Sequence, residues 1–305
     1  MLSGEKILVT GAAGQIGYPL AAHLAARNEV WGLARFRDQA AQAKVRAAGM
    51  KVHACDLAAS DLSGLPDDFT YVVHLAASIA GTDYDQSLRV NAEGTGLLLQ
   101  HCRKARAALV MSTHSVYKPH ADPWHVYHET DALGDVNATF SPTYSVSKIG
   151  QEAVARFCAR AFELPVTIAR MNASYGPNGG LPAYHLAAVV AGEPVVTRWD
   201  PCLYSPIYED DINEQIEPLL EAACVPATIV NWAGDEPVSV QEWAAHMGEL
   251  AGREAQVIVR EEPGTLRGSV AETTRRLSIT GACRVGWKEG LRRTYEARHG
   301  SAPSR

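Results

Sequence analysis

The sequence predicts an α/β protein built on a doubly wound parallel sheet, with a smaller, partly interleaved C-terminal lobe. Short β-rich runs at 6–10, 29–34, 51–55, 71–75, 108–112 and 165–169 alternate with longer helical patterns, the order that βαβ crossovers require. Several of these runs (ILV, YVV, ALVM, VTIA) are apolar at nearly every position, as strands must be where helices cover both sheet faces. The pattern then changes. Residues 177–206 are rich in Pro and Gly, a strand pattern returns at 228–232, and a helical run at 239–251 leads to a mixed tail. The expected division is a first domain at 1–176 that also receives about 207–233, and a lobe made of 177–206 and 234–305.

Composition narrows the function classes. With 305 residues, 47% hydrophobic and 20% charged, the chain can bury a large core, which excludes disorder, collagen and a small disulfide scaffold. Twenty-eight Lys and Arg against 34 Asp and Glu give a net charge of −6, so no general attraction to a nucleic-acid backbone is expected. No apolar run approaches the roughly 20 residues of a membrane span. The best candidate, 181–192, contains Pro182 and His185. The opening MLSGEKILVTG runs straight into a strand without a signal-peptide layout, and Cys55, Cys102, Cys158, Cys202, Cys224 and Cys283 lack Cys-x-x-Cys spacing. Free thiols and a cytoplasmic location are expected.

The first strand is followed at once by TGAAGQIG at 10–17 and by the helical spacing Ile16, Leu20, Leu24. Glycines there let the backbone turn sharply and approach a pyrophosphate, while the helix N-terminus supplies N–H groups and a positive dipole end. Dinucleotide binding is the expected function of this loop. Pro19 removes a backbone donor and is expected to bend the first helical turns. After the second strand, where an acidic residue would select NAD, the sequence has Ala34, Arg35, Phe36 and Arg37. Two guanidinium groups in place of a carboxylate favour the 2′-phosphate of NADP, with NAD as the alternative. Asp56 and Leu57, after the third strand, stand where the adenine edge would lie; Asp56 also suits a turn.

Tyr144 and Lys148 are spaced i, i+4 on a helix expected to begin with Ser141 as N-cap and Pro142 as its first residue. A free phenol ionises at about pH 10, and a nearby ammonium lowers that value, so Tyr144 is a candidate general acid/base. Upstream, STHSVY at 112–117 puts hydroxyls at the carboxyl end of the fifth strand, where ligands bind in such sheets.

TGAAGQIG, HLAA at 74–77, VNAEGT at 90–95, STHSVY, YSVSK at 144–148 and ARMNASYGP at 169–177 together resemble the extended short-chain dehydrogenase/reductase family, in its NAD(P)-dependent epimerase and dehydratase branch. The resemblance runs in order through about the first 175 residues and continues more weakly through IYEDDI at 207–212. It implies a Rossmann fold, Thr113 bonding the substrate oxygen, Tyr144 exchanging a proton, and Lys148 holding the nicotinamide ribose. It also implies a cofactor lined by Gly11, Ala13, Gly14, Gln15, Ile16, Gly17, Arg35, Arg37, Asp56, Leu57, Leu75, Ala76, Ala77 and Met171, with Asn91 as the structural asparagine. Dimerisation through sheet-flanking helices follows from the same resemblance. GAAGQIGY at 11–18 also resembles the phosphate loop of malate dehydrogenases, a family without the Tyr/Lys helix or STHSVY.

The sequence departs from the pattern where substrate is held. Sugar 4,6-dehydratases of the family carry Asp-Glu directly after the threonine; His114 and Ser115 stand here, which disfavours elimination. His114 is either a substrate contact or a polar wall residue. The asparagine and arginine that hold the sugar diphosphate in nucleotide-sugar epimerases fall on Ala173 and Tyr204, with Asn172 and Arg198 nearby as substitutes, and Lys118 replaces a glycine. The substrate candidates are thus Ser78, His114, Asn172 and Arg198. The loop 118–141 contains His120, His125, His128 and Asp122 at a spacing that fits no zinc pattern, so no metal is expected. The loop is expected either to close over substrate, with Trp124 and Tyr127 shaping the pocket, or to be a surface insertion. Asp210 and Asp211 read as the N-terminal signal of a helix at 212–222.

The leading expectation is an NADP-preferring oxidoreductase that moves a hydride between nicotinamide and a carbonyl or alcohol carbon of a small molecule. The alternatives are a nucleotide-sugar epimerase working by transient oxidation and a dinucleotide-sensing module without chemistry.

Overall fold

The computed structural model describes residues 2–59 and 61–300. Its strands are β1 (Lys6–Thr10), β2 (Glu29–Ala34), β3 (Lys51–Ala54), β4 (Tyr71–His74), β5 (Ala107–Thr113), β6 (Val126–Tyr127), β7 (Val166–Met171), β8 (Ser174–Tyr175), β9 (Val195–Thr197), β10 (Leu203–Tyr204), β11 (Ile207–Tyr208), β12 (Thr228–Trp232), β13 (Val238–Ser239), β14 (Val257–Val259) and β15 (Gly268–Ala271). The helices are α1 (Gly17–Ala25), α2 (Gln39–Ala47), α3 (Tyr84–Leu88), α4 (Gly94–His101), α5 (Tyr144–Ala161), α6 (Leu181–Ala191), α7 (Glu209–Glu221), α8 (Val240–Ala251), α9 (Thr274–Thr280) and α10 (Trp287–His299). A seven-stranded sheet runs in the order β12-β7-β5-β4-β1-β2-β3, parallel through β5, β4, β1, β2 and β3. This is the doubly wound Rossmann arrangement expected from the sequence.

The chain forms two compact units. Unit 1 holds residues 1–116, 140–170 and 213–230; unit 2 holds 117–139, 171–212 and 231–305. Residues 117–139 cluster with unit 2 because they are built into its strands: Val126 and Tyr127 pair in parallel with Val270 and Ala271. Within unit 2, β13, β10, β15 and β6 form one sheet, and an apolar core gathers Leu186, Val195, Trp199, Trp243, Met247 and Leu291. The core of unit 1 packs Leu8, Val72 and Val110 of the sheet against Leu98, Leu99, Ala155 and Cys158 of α4 and α5, which explains the nearly unbroken apolar strands.

Local details refine three sequence expectations. Pro19 sits third in α1 between the Tyr18 N–H to Gly14 carbonyl and Leu20 N–H to Ile16 carbonyl bonds, so its missing N–H leaves one gap in the ladder without ending the helix. Helix α5 starts at Tyr144 rather than at Pro142, and its N-cap position is Thr143, not Ser141. The reason is that 141–144 closes as a turn, Tyr144 N–H to Ser141 carbonyl at 3.1 Å, while the Thr143 hydroxyl bonds Ser87 and the Gly81 carbonyl. The third correction concerns α7, which begins at Glu209 and so carries Asp210 and Asp211 inside its first turn. There Asp211 accepts the N–H groups of Arg284 and Val285, and Asp210 pairs with Arg293.

Two glycines are required by close approach. Gly11 has φ +71°, and a Cβ there would lie 3.0 Å from the Ala76 nitrogen; a Cβ on Gly17 would lie 2.1 Å from the Gly11 carbonyl oxygen. The head of α1 is therefore pressed onto the β1–α1 turn, which only a residue without a side chain permits. Gly17→Ala is expected to force this contact open and to lower unfolding free energy by about 1–3 kcal/mol, read as a drop in the denaturant midpoint at unchanged m-value.

Candidate active site

The phosphate-loop residues lie where β1 hands over to α1. Ala13 and Gly14 are exposed, Gln15 and Ile16 half-buried, and the loop is closed by Gly14 N–H to Gly11 carbonyl and Gly11 N–H to Leu33 carbonyl, both 2.8 Å. The exposed Ala13 and Gly14 stand just ahead of the N-terminus of α1, an arrangement that fits the pyrophosphate of a dinucleotide. Arg35 and Arg37 are exposed beyond β2, and Phe36 between them takes φ +43°, a left-handed conformation rare for so bulky a residue. Asp56 forms the turn open to it, its carboxylate accepting the Ala58 N–H, and it also lies 3.8 Å from Arg37. Leu57 and Leu75 are buried, with Ala76 and Ala77 half-buried beyond β4.

The β4 end is held by residues that the sequence pattern does not single out. Thr10 Oγ1 accepts the N–H groups of Leu75 and Ala76, both at 3.1 Å, and lies 2.7 Å from His74 Nδ1. With both lone pairs taken, the threonine must donate to Nδ1, so His74 carries its proton on Nε2 and gives it to Thr95 Oγ1 at 2.8 Å. Thr95 in turn donates to the Asn91 carbonyl at 2.6 Å and accepts from Gln151. Burial, and secondarily the Lys148 charge, hold His74 down at about 3, so it stays neutral. Asn91 clamps Ser78 through both backbone groups, at 2.7 and 2.9 Å, and also donates to the Ser147 hydroxyl.

Three consecutive residues at the end of β5 engage three residues one helical turn apart on α5. The Met111 carbonyl accepts from Lys148 Nζ at 2.7 Å, the Ser112 hydroxyl donates to Glu152 at 2.5 Å, and the Thr113 hydroxyl bonds the Tyr144 phenol. Thr113 is oriented by a further bond, accepting the Ser115 N–H at 3.2 Å. Glu152 is bound by Arg170 of β7 through two bonds of 2.9 and 2.8 Å, all fully buried. The Tyr-x-x-x-Lys-x-x-x-Glu spacing is the signal that could have found Glu152. Burial pushes Tyr144 up to about 12, against the pull of the Thr113 bond, and pulls Lys148 down to about 7, against the Glu152 charge. The lowered tyrosine expected from the sequence is thus not found, because burial outweighs the Thr113 bond.

A match to the NAD dependent epimerase/dehydratase family covers residues 7–200. The chain belongs to that family. Among solved structures it resembles UDP-glucuronic acid 4-epimerase from Bacillus cereus, in complex with UDP-4-deoxy-4-fluoro-glucuronic acid and NAD. That likeness has a TM-score of 0.84 at 23% identity and covers 96% of this chain and 98% of the other. The UDP-glucose 4-epimerase of Thermus thermophilus, in complex with NAD, gives 0.82 at 25% identity, over 97% and 100%. A trifunctional UDP-glucose 4,6-dehydratase/UDP-4-keto-6-deoxy-D-glucose 3,5-epimerase/UDP-4-keto-L-rhamnose-reductase of Arabidopsis thaliana is 27% identical over 264 residues. The match takes in 79% of this chain but only 38% of the Arabidopsis protein.

The epimerase/dehydratase chain treats its four substrate candidates differently. In unit 1, Ser78 is half-buried with its backbone fixed by Asn91, and His114 is buried in a short turn directly after Thr113. In unit 2, Asn172 is consumed structurally: its amide donates to the Ser269 carbonyl and hydroxyl and accepts from Ala173 and Ser205 N–H. All four bonding positions of the amide are filled, which withdraws it as a substrate ligand. Arg198 is paired with Glu262 at 2.6 Å. Met171, at the end of β7, is buried. The histidine loop is a folded piece of unit 2, with His120 stacked on His125 at 4.2 Å and His125 bonded to Asp131 at 2.8 Å.

The lowered Lys148 has a stability consequence. Between its ordinary value and about pH 7 the unfolded chain holds a proton that the folded chain gives up, so folding weakens as pH falls through that window. Lys148→Met is expected to raise Tm, with an advantage that grows as pH is lowered from about 10 to about 7. A Tm gain independent of pH would contradict this account.

Proposed function

We propose that the chain is an NADP-preferring oxidoreductase acting on a carbonyl or alcohol carbon, with Tyr144 as acid/base, Thr113 as the hydroxyl that bonds the reacting oxygen, and unit 2 as the part that selects substrate. The observation that carries this reading is the junction of Met111, Ser112 and Thr113 with Lys148, Glu152 and Tyr144 at the carboxyl end of β5. A bound nicotinamide dinucleotide supplies hydride exchange. Thr113 polarises the substrate oxygen and Tyr144 transfers the proton to or from it. Lys148, with a pKa near 7, takes up charge beside the phenol when a negative oxygen develops there. Gly11 through Gly17 hold the pyrophosphate, and Leu75 to Ala77 line the cofactor.

The NADP preference rests on Arg35 and Arg37, on the lack of a carboxylate at the β2 end, and on the left-handed Phe36 that bends the segment between the two arginines. A second reading, transient oxidation by a nucleotide-sugar epimerase, is favoured by the UDP-sugar and NAD complex of the Bacillus cereus relative. Six free cysteines, four of them buried, support a reducing cytoplasmic location, and among the described residues no helix is long and apolar enough to cross a membrane. Leu97 on α4 and Phe157 on α5 are 44% and 66% exposed, which supports a homodimer through these helices.

Tyr144→Phe is expected to lower turnover of a carbonyl panel with NADPH at least ~100-fold while leaving NADPH binding intact; full turnover would refute the acid/base role. Arg35→Ala is expected to reduce the NADP-over-NAD affinity ratio by roughly tenfold, measured by fluorescence titration of both cofactors. If both helices form the dimer seam, Phe157→Glu shifts the light-scattering mass from dimer to monomer.

A further inference from the structure

The formal charge of −6 is carried entirely by unit 2, which has 19 Asp and Glu against 13 Lys and Arg, whereas unit 1 has 15 of each. A unit that receives a diphosphate has to offer a guanidinium or several N–H groups in compensation. Arg198 and the Thr139 N–H form such a cradle, and the chain has filled it. Glu262 accepts from Thr139 N–H at 2.5 Å and from Arg198 Nε at 2.6 Å. The carboxylate is half-buried, its side chain 20% exposed and that of Arg198 40%. Burial works to raise its pKa, but the Thr139 bonds and Arg198 hold it below the ordinary value, so the internal anion is ionised at neutral pH.

Around Tyr204 of β10 the Arg198 charge is felt, while the ring neighbours are neutral. Tyr204 stacks on Trp243 at 5.5 Å and 18°, and Trp243 donates to His185 at 3.1 Å. Burial keeps His185 neutral, at about 4, and pushes the Tyr204 phenol up.

Resting on the oxidoreductase reading and its assignment of substrate to unit 2, we propose that Glu262 is a specificity-determining residue. It occupies from within the chain the anion site formed by Arg198 and Thr139, so that unit 2 takes an uncharged carbonyl or alcohol and rejects a nucleoside diphosphate. The mechanism is displacement: an incoming diphosphate would have to expel a carboxylate already bonded to both donors and would meet its negative charge.

The test titrates the full-length chain separately with NADPH, UDP and UDP-glucose by calorimetry. Expected are saturable binding of NADPH and no saturable binding of UDP or UDP-glucose up to about 1 mM. Glu262→Gln, which keeps the shape but frees Arg198, is expected to gain at least roughly tenfold in UDP affinity, and Glu262→Gln with Arg198→Ala is expected to lose that gain. Wild-type chain that binds UDP or UDP-glucose below about 100 μM overturns the proposal. So does a folded Glu262→Gln chain with no gain. If that variant does not fold, the wild-type titration decides by itself. Loss of NADPH binding would instead count against the oxidoreductase reading, so the two failures are distinguishable.

Discussion

Burying a lysine is the constraint around which unit 1 is arranged. An ammonium withdrawn from water is costly unless it is bonded and faced by opposite charge, and Lys148 is 1% exposed. Its compensation is layered. The Met111 carbonyl takes one of its donors, Glu152 one turn further along α5 provides the charge, and Arg170 with Ser112 stops Glu152 from becoming a buried charge in its turn. Each element has to be where it is. β5 must end beside the first two turns of α5, and β7 must lie next to β5 so that Arg170 reaches across. The register that offsets part of the desolvation cost also brings the Thr113 hydroxyl onto the Tyr144 phenol. Positioning for proton exchange and charge compensation are one piece of geometry.

Helix α5 shows the division of labour along a single element. Its buried stripe begins with Ser145, Ser147, Lys148, Gln151 and Glu152 and ends with Ala155, Cys158 and Ala159. The first half is bonded to β5, Asn91 and Thr95, whereas the second packs into the apolar core with Leu98 and Leu99. A helix polar throughout its buried face would have no hydrophobic reason to dock. The C-terminal half provides that reason, and the polar half is held in place by it.

Much of unit 1 is legible in the sequence because its signals are local. Strand bounds such as Lys6–Thr10 and Glu29–Ala34 follow from apolar runs bounded by polar residues, and the TGAAGQIG turn needs only its own glycines. What stays hidden depends on partners distant in sequence. His74 stands in a motif that suggests cofactor lining, but its role is set by Thr10 and Thr95. Asn172 has the look of a free amide, yet Ser269, 97 residues away, uses it. The start of α5 escapes local reading because Ser141-Pro142 has the chemistry of a cap, and nothing nearby reveals that Thr143 is engaged by Ser87 instead. Unit 2 is the least legible, since its short strands carry little periodicity and its charges acquire meaning only once they are paired.

The chain of bonds from Thr10 through His74 and Thr95 to the Asn91 carbonyl runs in one direction only. Thr10 and Thr95 each accept twice and donate once, so reversing any hydroxyl would leave two N–H groups facing each other or an acceptor unserved. The imidazole between them is locked in one tautomer and kept neutral across the physiological range. A side chain usually valued as a sensor of acidity serves here as a fixed spacer, and the edge of the phosphate loop keeps its shape whatever the proton concentration outside.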